Sequence, residues 1–368
     1  MNTVKERAGQ VTAIKDRVKN DKVQQHESER LTLTKVRSVL SPAVFERRKR
    51  RGLLAFFANL LVFSAVSTLL TMDLPMIAII PLWIISGLTI GSMFVIGHDA
   101  CHGALFDNQR LNYWVGQISM LPSLHAYGQW DFGHNRIHHG HTVKFSGDFV
   151  WEPTTVDEYK SYNRFQKIMH RIYWSRFGAG VYYMIEIWFK GMILYTANQK
   201  NALRDKLIVL AFMTASLIGL FTYGGSSPQG FSASSGFWMV FKVAVVPFII
   251  WNYLMGFIVY VHHINAEINW KTSKKWSPVY GQLFSTVNYH VPRLLNLFFH
   301  NIMIHMPHHV HMRIPFYHLP LALEQIKAEF GEHVRERNTM FKDYLYSTRF
   351  CKLYDPENEE WRPYSAAL

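Results

Sequence analysis

Long stretches without a charged residue are the feature that most limits how this chain can fold. Residues 52–72, 76–97 and 207–223 carry no Asp, Glu, Lys or Arg, and residues 237–261 are interrupted only by Lys242. These runs of 17 to 25 residues fall within the range of lengths found for transmembrane helices, which rise ~1.5 Å per residue across a hydrocarbon layer ~30 Å thick. The sequence therefore predicts an all-α integral membrane protein with four transmembrane helices. Lys242, early in the fourth, is expected to extend toward the membrane interface.

The positions of the basic residues predict the orientation. The two predicted outer loops, around Asp73 and at 224–236, contain no Lys or Arg, whereas the remaining segments hold nearly all of the 39. Basic residues are retained on the cytoplasmic side, so we expect both termini to be cytoplasmic and the membrane to be a bacterial inner membrane. The predicted organisation is a basic N-terminal extension without a signal peptide (1–51), a membrane domain (52–358) with a cytosolic helical cap (98–206 and 262–358), and a C-terminal tail (359–368).

Cysteine and charge content limit the chemistry. Only Cys101 and Cys351 are present, so neither a disulfide framework nor a thiolate-bound zinc or iron–sulfur site can be built within the chain. Any metal must therefore be held by histidine or carboxylate. The net charge of +13 falls along the predicted inner face, where it suits anionic headgroups and an acidic electron donor. A nucleic-acid partner is not expected, because no folded basic domain can be located.

Histidines are concentrated at the cytosolic ends of the predicted spans. The stretch from His300 to His318 alone contains six imidazoles, and each buried ring nitrogen needs a partner. Three motifs and one pair are the candidate metal ligands: His98 and His102; His134, His138 and His139; His305, His308 and His309; and the pair His262 and His263 at the end of the fourth span.

The spacing within each motif predicts how the rings converge. Residues three or four apart share a helix face, so we expect His98 to pair with His102 and His134 with His138. The motif that begins at His305 is expected to bring its three rings to one point. About nine imidazoles are too many for one zinc, which takes four ligands, so two metals are the natural count. Imidazole suits iron, copper, nickel and zinc alike.

Other polar residues near the motifs are candidates for supporting roles. Asp99, Asp131 and Asp148 could accept N–H bonds from ligand imidazoles and so fix their tautomers and basicity. The further candidates for auxiliary ligands or outer contacts are His141, His262, His300 and Asn301. Ordinary polar roles are expected for the histidines that the metal count does not require, namely His125, His170, His290, His311 and His318.

The order of these motifs resembles that of the membrane-bound di-iron fatty acid desaturases. H-x-x-x-H and H-x-x-x-H-H precede the third span, and H-x-x-H-H follows the fourth; the resemblance covers roughly residues 45–358. Four shorter segments are similar to the acyl-lipid delta-12 (omega-6) branch: YVHH at 260–263, FHNI at 299–302, IPFY at 314–317 and LYDP at 353–356. Asn288 departs from the cyanobacterial type, which usually has histidine there.

This resemblance implies a fold, a reaction and a ligand set. The implied fold has four spanning helices beneath a cytosolic cap. The implied reaction uses two Fe ions, O2 and an external electron donor of the ferredoxin or cytochrome b5 type to insert a cis double bond into a membrane-lipid acyl chain, held in a narrow apolar tunnel. The implied metal ligands are His98, His102, His134, His138, His139, His263, His305, His308 and His309, with His263 rather than His262 aligning to the fourth-span histidine.

Two alternative functions stay open at this point. A related membrane di-iron hydroxylase, ketolase or acetylenase uses similar motifs, because a small shift of the substrate against the metals can change the outcome. A histidine-rich metal transporter is more remote. It would place ionisable residues inside its spans, and these spans offer little beyond Lys242 and scattered Ser, Thr and Asn.

Overall fold

The computed structural model describes residues 31–368, and helices form almost all of its regular structure. In chain order the helices are α1 (Leu33–Ser38), α2 (Lys49–Thr71), α3 (Met76–Cys101), α4 (Gln109–Met120), α5 (Tyr127–Trp130), α6 (His139–His141), α7 (Val156–Ser161), α8 (Arg164–Tyr173), α9 (Ala179–Tyr182), α10 (Ala202–Gly225), α11 (Ala233–Val240), α12 (Val246–His263), α13 (Arg293–Phe299), α14 (Met306–Val310), α15 (Leu319–Phe330) and α16 (Met340–Phe350).

Wider and tighter helical turns and three short strand pairs complete the fold. π-helical segments cover Asp131–His138, Tyr183–Leu194, Phe241–Val245 and Tyr280–Phe284, and 3-10 turns cover Pro42–Phe45, Phe316–His318, Gly331–His333 and Tyr364–Ala367. The strands are β1 (Ser226–Ser227) antiparallel to β2 (Gly230–Phe231), β3 (Asn288–Tyr289) parallel to β4 (Glu336–Arg337), and β5 (Leu353–Asp355) antiparallel to β6 (Glu360–Arg362).

Four helices are long and apolar enough to cross a membrane. They are α2, α3, α10 and the continuous helix from α11 to α12, with 23, 26, 24 and 31 residues. Leu54, Leu61 and Ile77 are 70% exposed or more, as expected for side chains that face lipid. The prediction of an all-α membrane protein with four spanning helices is confirmed, and each predicted span overlaps one of these helices.

The second spanning helix, α3, is the centre of the molecule. It packs on α2, α4 and α12, and every residue from 89 to 101 is buried. A Cβ at Gly87 would lie 2.5 Å from Ile250 Cγ2, so only glycine permits this close approach of α3 to α12. Because α3 continues beyond the predicted end of the span at residue 97, its last turn carries His98 into the cap.

Lys242 lies in the π-helical segment that joins α11 to α12. Its Nζ donates to the carbonyl of Met72 at the end of α2, at 3.0 Å, and its own carbonyl accepts from Trp83 Nε1 at 2.8 Å. The side chain therefore extends to the end of the helices opposite the histidine motifs, where it satisfies a terminal carbonyl.

The cap is held together by contacts between segments that are distant in sequence. Tyr354 of β5 donates its hydroxyl to the Trp270 carbonyl at 2.9 Å, which attaches the C-terminal strand pair to the cap core. Residues 1–30 of the predicted N-terminal extension lie outside the described residues. The described part of that extension packs on the cap, where Arg37 Nε donates to the Val310 carbonyl at 2.7 Å.

Candidate metal centre

Four segments deliver imidazoles to one level at one end of the spans. The last turn of α3 and the last turn of α12 carry histidines directly out of the membrane helices. The other two segments, the π-helical Asp131–His138 with α6 and the short helix α14, belong to the cap. The nine histidines expected as ligands are all brought together there: His98, His102, His134, His138, His139, His263, His305, His308 and His309.

A first cluster draws on three of these segments. Nε2 of His98 lies 2.9 Å from Nε2 of His134 and 3.2 Å from Nε2 of His102. Nε2 of His139 is 3.2 Å from Nε2 of His134. With His308, these residues offer five ligand atoms that lie within 4.8 Å of one another.

A second cluster lies directly beside the first. His138, His263 and His309 offer ligand atoms within 4.8 Å of one another. Nε2 of His305 lies 3.1 Å from Nε2 of both His263 and His309, so His305 completes a group of four. The ring centroids of His139 and His309 are 4.4 Å apart, and two metals held by these clusters would therefore be neighbours.

The distances between ring nitrogens match those expected for two imidazoles that bind the same metal. Two imidazole nitrogens at 2.0–2.1 Å from one metal, with about a right angle between them, are ~3 Å apart. The Nε2 atoms of His98 and His134, and those of His263 and His305, have this separation. Neutral imidazoles at hydrogen-bond distance would also satisfy each other's nitrogens, so the ring nitrogens that lack any partner within residues 31–368 decide between the two arrangements.

Ring nitrogens without a partner supply the second observation. Both nitrogens of His308 are buried and have no hydrogen-bond partner among the described residues, and Nδ1 of His102, His139 and His305 is also unpartnered. Leaving such atoms desolvated is costly. Burial lowers the pKa of His308, His309 and His134 well below the ordinary histidine value, which favours the neutral form that binds metal. The residues present therefore fit two metal ions.

The second motif divides its rings between the two clusters. As expected for residues four apart, His134 and His138 share a face, and their rings stack with centroids 5.4 Å apart. Their ligand atoms nevertheless go to different clusters: His134 shares the first cluster with His139, five residues on, and His138 joins the second cluster. The physical reason is the π-helical backbone of Asp131–His138, in which the hydrogen-bond period is five residues rather than four and such turns often mark functional sites.

The third motif also serves both clusters rather than one point. His305 precedes α14 as its N-terminal flanking residue, and His308 and His309 are adjacent on that helix. His305 and His309, four apart, meet in the second cluster as the helical rule requires. His308 points about a quarter-turn away and reaches the first cluster, because adjacent helical residues project about 100° apart.

Two of the predicted carboxylates hold ligand rings in place. Asp99 accepts from His98 Nδ1 at 3.1 Å and from the Phe316 backbone N–H at 2.6 Å. The carboxylate of Asp148 lies 3.0 Å from His138 Nδ1. Each contact directs the other ring nitrogen, Nε2, toward its cluster and raises its basicity.

Asp148 is also bound by its own loop. Its two carboxylate oxygens accept from the backbone N–H groups of Val143 and Val150, at 3.1 and 3.0 Å. The loop that carries Asp148 is thus folded around the carboxylate that positions His138.

Three supporting residues were not predicted from the sequence. Gln282 Oε1 and Thr142 Oγ1 lie 3.2 and 3.3 Å from Nδ1 of His309, and Asn288 Oδ1 accepts from the Met306 N–H at 2.9 Å at the start of α14. Gln282 lies in a π-helical segment with no histidine nearby in sequence, so no spacing signal pointed to it. Asn288 was visible only as a departure from the cyanobacterial pattern.

The remaining candidates lie outside the two clusters. His262 stacks on His305, with ring centroids 3.9 Å apart, and His141 bonds the Ile137 carbonyl. Asp131, expected near a ligand, accepts instead from Asn135 Nδ2 at 2.7 Å, so that expectation was wrong for the described contacts.

His300 and Asn301 lie on the segment that leads to the third motif. Nε2 of His300 is 2.8 Å from Ser92 Oγ and 3.1 Å from Asn59 Nδ2, which joins that segment to α2 and α3. Asn301 Nδ2 donates to the carbonyl of Phe316 at 3.1 Å, the residue whose N–H is bonded to Asp99. His300 and Asn301 therefore help to position the metal centre, and neither belongs to a histidine cluster.

An apolar cavity opens beside both clusters. Rings of His98, His263 and His305 form part of its wall, and the other lining residues are mainly apolar or aromatic, among them Gly91, Phe94, Trp130, Tyr183, Trp251 and Leu254. The cavity matches the predicted tunnel.

Comparison with known proteins identifies the class to which this fold and site belong. The family model for fatty acid desaturase matches residues 74–341, which include all nine clustered histidines. The chain therefore belongs to the fatty acid desaturase family and is an oxidoreductase of lipid metabolism.

Individual relatives agree with the resemblance to the delta-12 (omega-6) branch. An sn-1 oleoyl-lipid 12-desaturase of Picosynechococcus sp. is 27% identical over 77% of this chain and 79% of the relative. A chloroplastic omega-6 fatty acid desaturase of Arabidopsis thaliana is 27% identical over 91% of this chain and 72% of the relative. An sn-1 acyl-lipid omega-3 desaturase (ferredoxin) of Synechocystis sp. is 27% identical, covering 69% and 68%.

Proposed function

We propose that this protein is an O2-dependent acyl-lipid desaturase of the delta-12 (omega-6) type, which inserts a cis double bond with a di-iron centre. The observation that carries the proposal is that the histidine clusters form part of the wall of the apolar cavity. The names of the relatives, which include 12-desaturases and omega-6 desaturases, support the regiochemistry.

The two clusters would hold one iron each. His98, His102, His134, His139 and His308 are the proposed ligands of the first iron, and His138, His263, His305 and His309 those of the second. When bound, the irons supply the redox chemistry that activates O2. Asp99 and Asp148 keep His98 and His138 oriented toward them.

The contribution of the chain is to position two adjacent methylenes and exclude water. The cavity follows α3 from His98 to Gly91, which is about 10 Å along a helix, so several methylenes fit beyond the bond that is oxidised. Its apolar walls, including Phe94 and Trp251, favour an extended acyl chain over water. Holding the reacting carbons at a fixed place is the main control over the reaction.

The overall reaction balances with an external reductant. The acyl chain loses two hydrogens, and O2 takes these together with two electrons and two protons to leave as two water molecules. Two cysteines are too few to hold an iron–sulfur cluster within the chain, and we propose a separate donor of the ferredoxin or cytochrome b5 type; one relative is named as a ferredoxin enzyme.

The proposed location is a bacterial inner membrane, with the centre on the cytoplasmic side. The loops without Lys or Arg would face outward, and the cap formed by residues 98–206 and 262–358 would face the cytoplasm. The proposed substrate is an acyl chain carried by a membrane glycerolipid, which can enter the cavity from the bilayer.

The test is the lipid profile of a host that makes oleoyl lipids but no dienoic chains. Expression of this protein should yield 18-carbon chains with a second cis double bond, two mass units lighter than oleoyl, and His305→Ala should abolish the product. His290→Ala is the matched control, because His290 is exposed and bonded to Glu336 away from the clusters. A product sixteen mass units heavier would instead indicate a hydroxylase, and unchanged lipids from a protein with two bound irons would overturn the proposal.

A further inference from the structure

A basic and aromatic surface is joined to the second cluster through Thr142. We call it the Trp276 patch, and it consists of Trp276, Lys144, Lys274, Lys275 and His141. Lys144 Nζ lies 5.3 Å from the centroid of the Trp276 ring, and the rings of His141 and Trp276 are 6.0 Å apart. Trp276 is half-buried, and Lys274 and Lys275 are exposed beside it in sequence.

Positive charge predominates in this patch. Glu359 is bonded to the buried Lys271 and lies 3.4 Å from Lys275 Nζ, so one carboxylate is shared by two lysines. In the described part of the chain, neither Lys144 nor Lys274 forms an ion pair. The patch therefore presents unneutralised positive charge to the cytoplasm, which attracts acidic proteins.

A short chain of contacts joins Trp276 to the second cluster. Trp276 Nε1 donates to the Thr142 carbonyl at 3.0 Å, and Oγ1 of the same Thr142 lies 3.3 Å from Nδ1 of His309. Trp276 also packs so closely on Gly281 that a Cβ there would lie 3.1 Å from the indole ring. The next residue, Gln282, is the other partner of His309.

A second basic surface on the cap has no such connection. Arg164, Lys167 and Arg171 follow one side of α8, and Arg171 bonds the Tyr159 hydroxyl at 2.9 Å. No described contact joins these residues to either histidine cluster. Charge alone therefore does not distinguish the two surfaces, whereas the link through Thr142 to His309 does.

We propose that an acidic one-electron iron–sulfur carrier of the ferredoxin class docks on the Trp276 patch, and that its electrons enter through Trp276 and Thr142 to the metal held by the second cluster. This inference rests on the proposed desaturase function. Each docking oxidises one carrier by one electron. Two dockings supply the two electrons which, with two protons from water and two hydrogens from the acyl chain, reduce O2 to two water molecules.

Binding is the first test, because it does not depend on turnover. Oxidised plant-type ferredoxin is titrated onto the full-length protein in nanodiscs, and the Kd is measured from 20 to 300 mM salt. The double variant Lys144→Glu with Lys274→Glu should weaken binding about tenfold or more at low salt and flatten its salt dependence. Arg164→Glu with Lys167→Glu, an equal change of charge on α8, should leave the Kd within about twofold.

Electron transfer is the second test. Trp276→Phe keeps an aromatic ring but loses the N–H that bonds Thr142. Because the ring is kept, binding of ferredoxin should change little, whereas oxidation of reduced ferredoxin should become several-fold slower in stopped-flow measurements. This slowing should clearly exceed any change in a single turnover driven by dithionite. Trp114→Phe is the matched control, because Trp114 is 56% exposed on α4 and should have no effect.

The results of these experiments distinguish a failure of the docking inference from a failure of the proposed desaturase function. If the wild-type protein forms no desaturated product even with dithionite, the proposed function fails. If it is active but the Trp276 patch variants bind and oxidise ferredoxin like wild type, or if the α8 variant is the one that loses binding, the docking inference is overturned. Failure of wild-type protein to bind ferredoxin, with tight binding of cytochrome b5 instead, also overturns the assignment of the carrier.

Discussion

The two histidine clusters contain similar ligands but differ in how the chain supports them. The first cluster takes His98 and His102 from the end of α3, the most buried of the spanning helices, and its other three ligands from the cap. Its carboxylate Asp99 is anchored by a single backbone N–H, that of Phe316. The second cluster is built mainly from cap segments, and Asp148, Gln282 and Thr142 contact its rings. We infer that α3 contributes more to the support of the first site, whereas the second depends more on side-chain contacts from the cap.

The largest expected effect comes from removing ligands that are adjacent in sequence but belong to different clusters. His308→Ala and His309→Ala should each reduce bound iron from two to one per protein and abolish activity. The double variant should bind none. His134→Ala with His139→Ala removes two ligands of one cluster and should leave one iron, as measured by elemental analysis of purified protein.

The difference in bound iron between these two double variants tests whether the adjacent histidines His308 and His309 serve different metals. If His308 and His309 served the same metal, their double variant would retain one iron, contrary to the division into clusters. His290→Ala, with its iron content unchanged, controls for losses during purification.

Substitution of the two supporting carboxylates should have a smaller effect, and the loss of metal affinity should differ between them. Asp148→Asn and Asp99→Asn are each expected to weaken metal affinity by 10- to 100-fold. The loss should be greater for Asp148→Asn, because Asp148 also accepts from Val143 and Val150 within its loop. Competition with a chelator measures both affinities. A greater loss for Asp99→Asn would contradict the inference that Asp148 contributes more to metal binding than Asp99 does.

Gln282→Leu should have a weaker effect that is greatest at the second cluster, because in the first cluster Gln282 contacts only the backbone carbonyl of His139. It removes the acceptor 3.2 Å from His309 Nδ1, and we expect about a tenfold loss of affinity for one of the two irons. Chelator titration should therefore become biphasic, with one iron released early and the other at the wild-type concentration. Equal weakening of both irons would show that Gln282 acts on the whole centre.

The smallest effect concerns a histidine outside both clusters. His170 bonds the Tyr364 hydroxyl, and burial lowers its pKa from 6.5 to about 4. In the unfolded chain it takes up a proton near pH 6.5, whereas in the folded chain it stays neutral, so its contribution to stability is present above pH 6.5 and is lost as the pH falls toward 4.

Metal-free wild type should accordingly lose about 1 kcal/mol more unfolding free energy between pH 7.5 and 5.5 than His170→Gln does. Thermal unfolding in detergent at the two pH values measures this difference. Equal losses in the two proteins would indicate that His170 is protonated in the folded state.

The sequence predicted the architecture well because its strongest signals are local. Uncharged runs determined four spanning helices, and Lys and Arg counts gave an expected orientation. The nine clustered histidines were also recognisable, because three motifs and one pair contain more closely spaced histidines than ordinary polar roles require.

The division of ligands between clusters was not predictable, because it depends on backbone geometry that spacing does not encode. A regular α-helix would have paired His134 with His138, and the π-helical turn pairs it with His139 instead. Gln282 likewise reaches His309 from 27 residues away in sequence, through packing of the cap rather than any motif.

The central claim is that five histidines hold one metal and four hold its neighbour. Anomalous diffraction at the iron edge from crystals of the iron-loaded protein tests it most directly. The expected result is two peaks, one bounded by His98, His102, His134, His139 and His308 and the other by His138, His263, His305 and His309. A single peak, or His134 and His138 bound to the same iron, would contradict it.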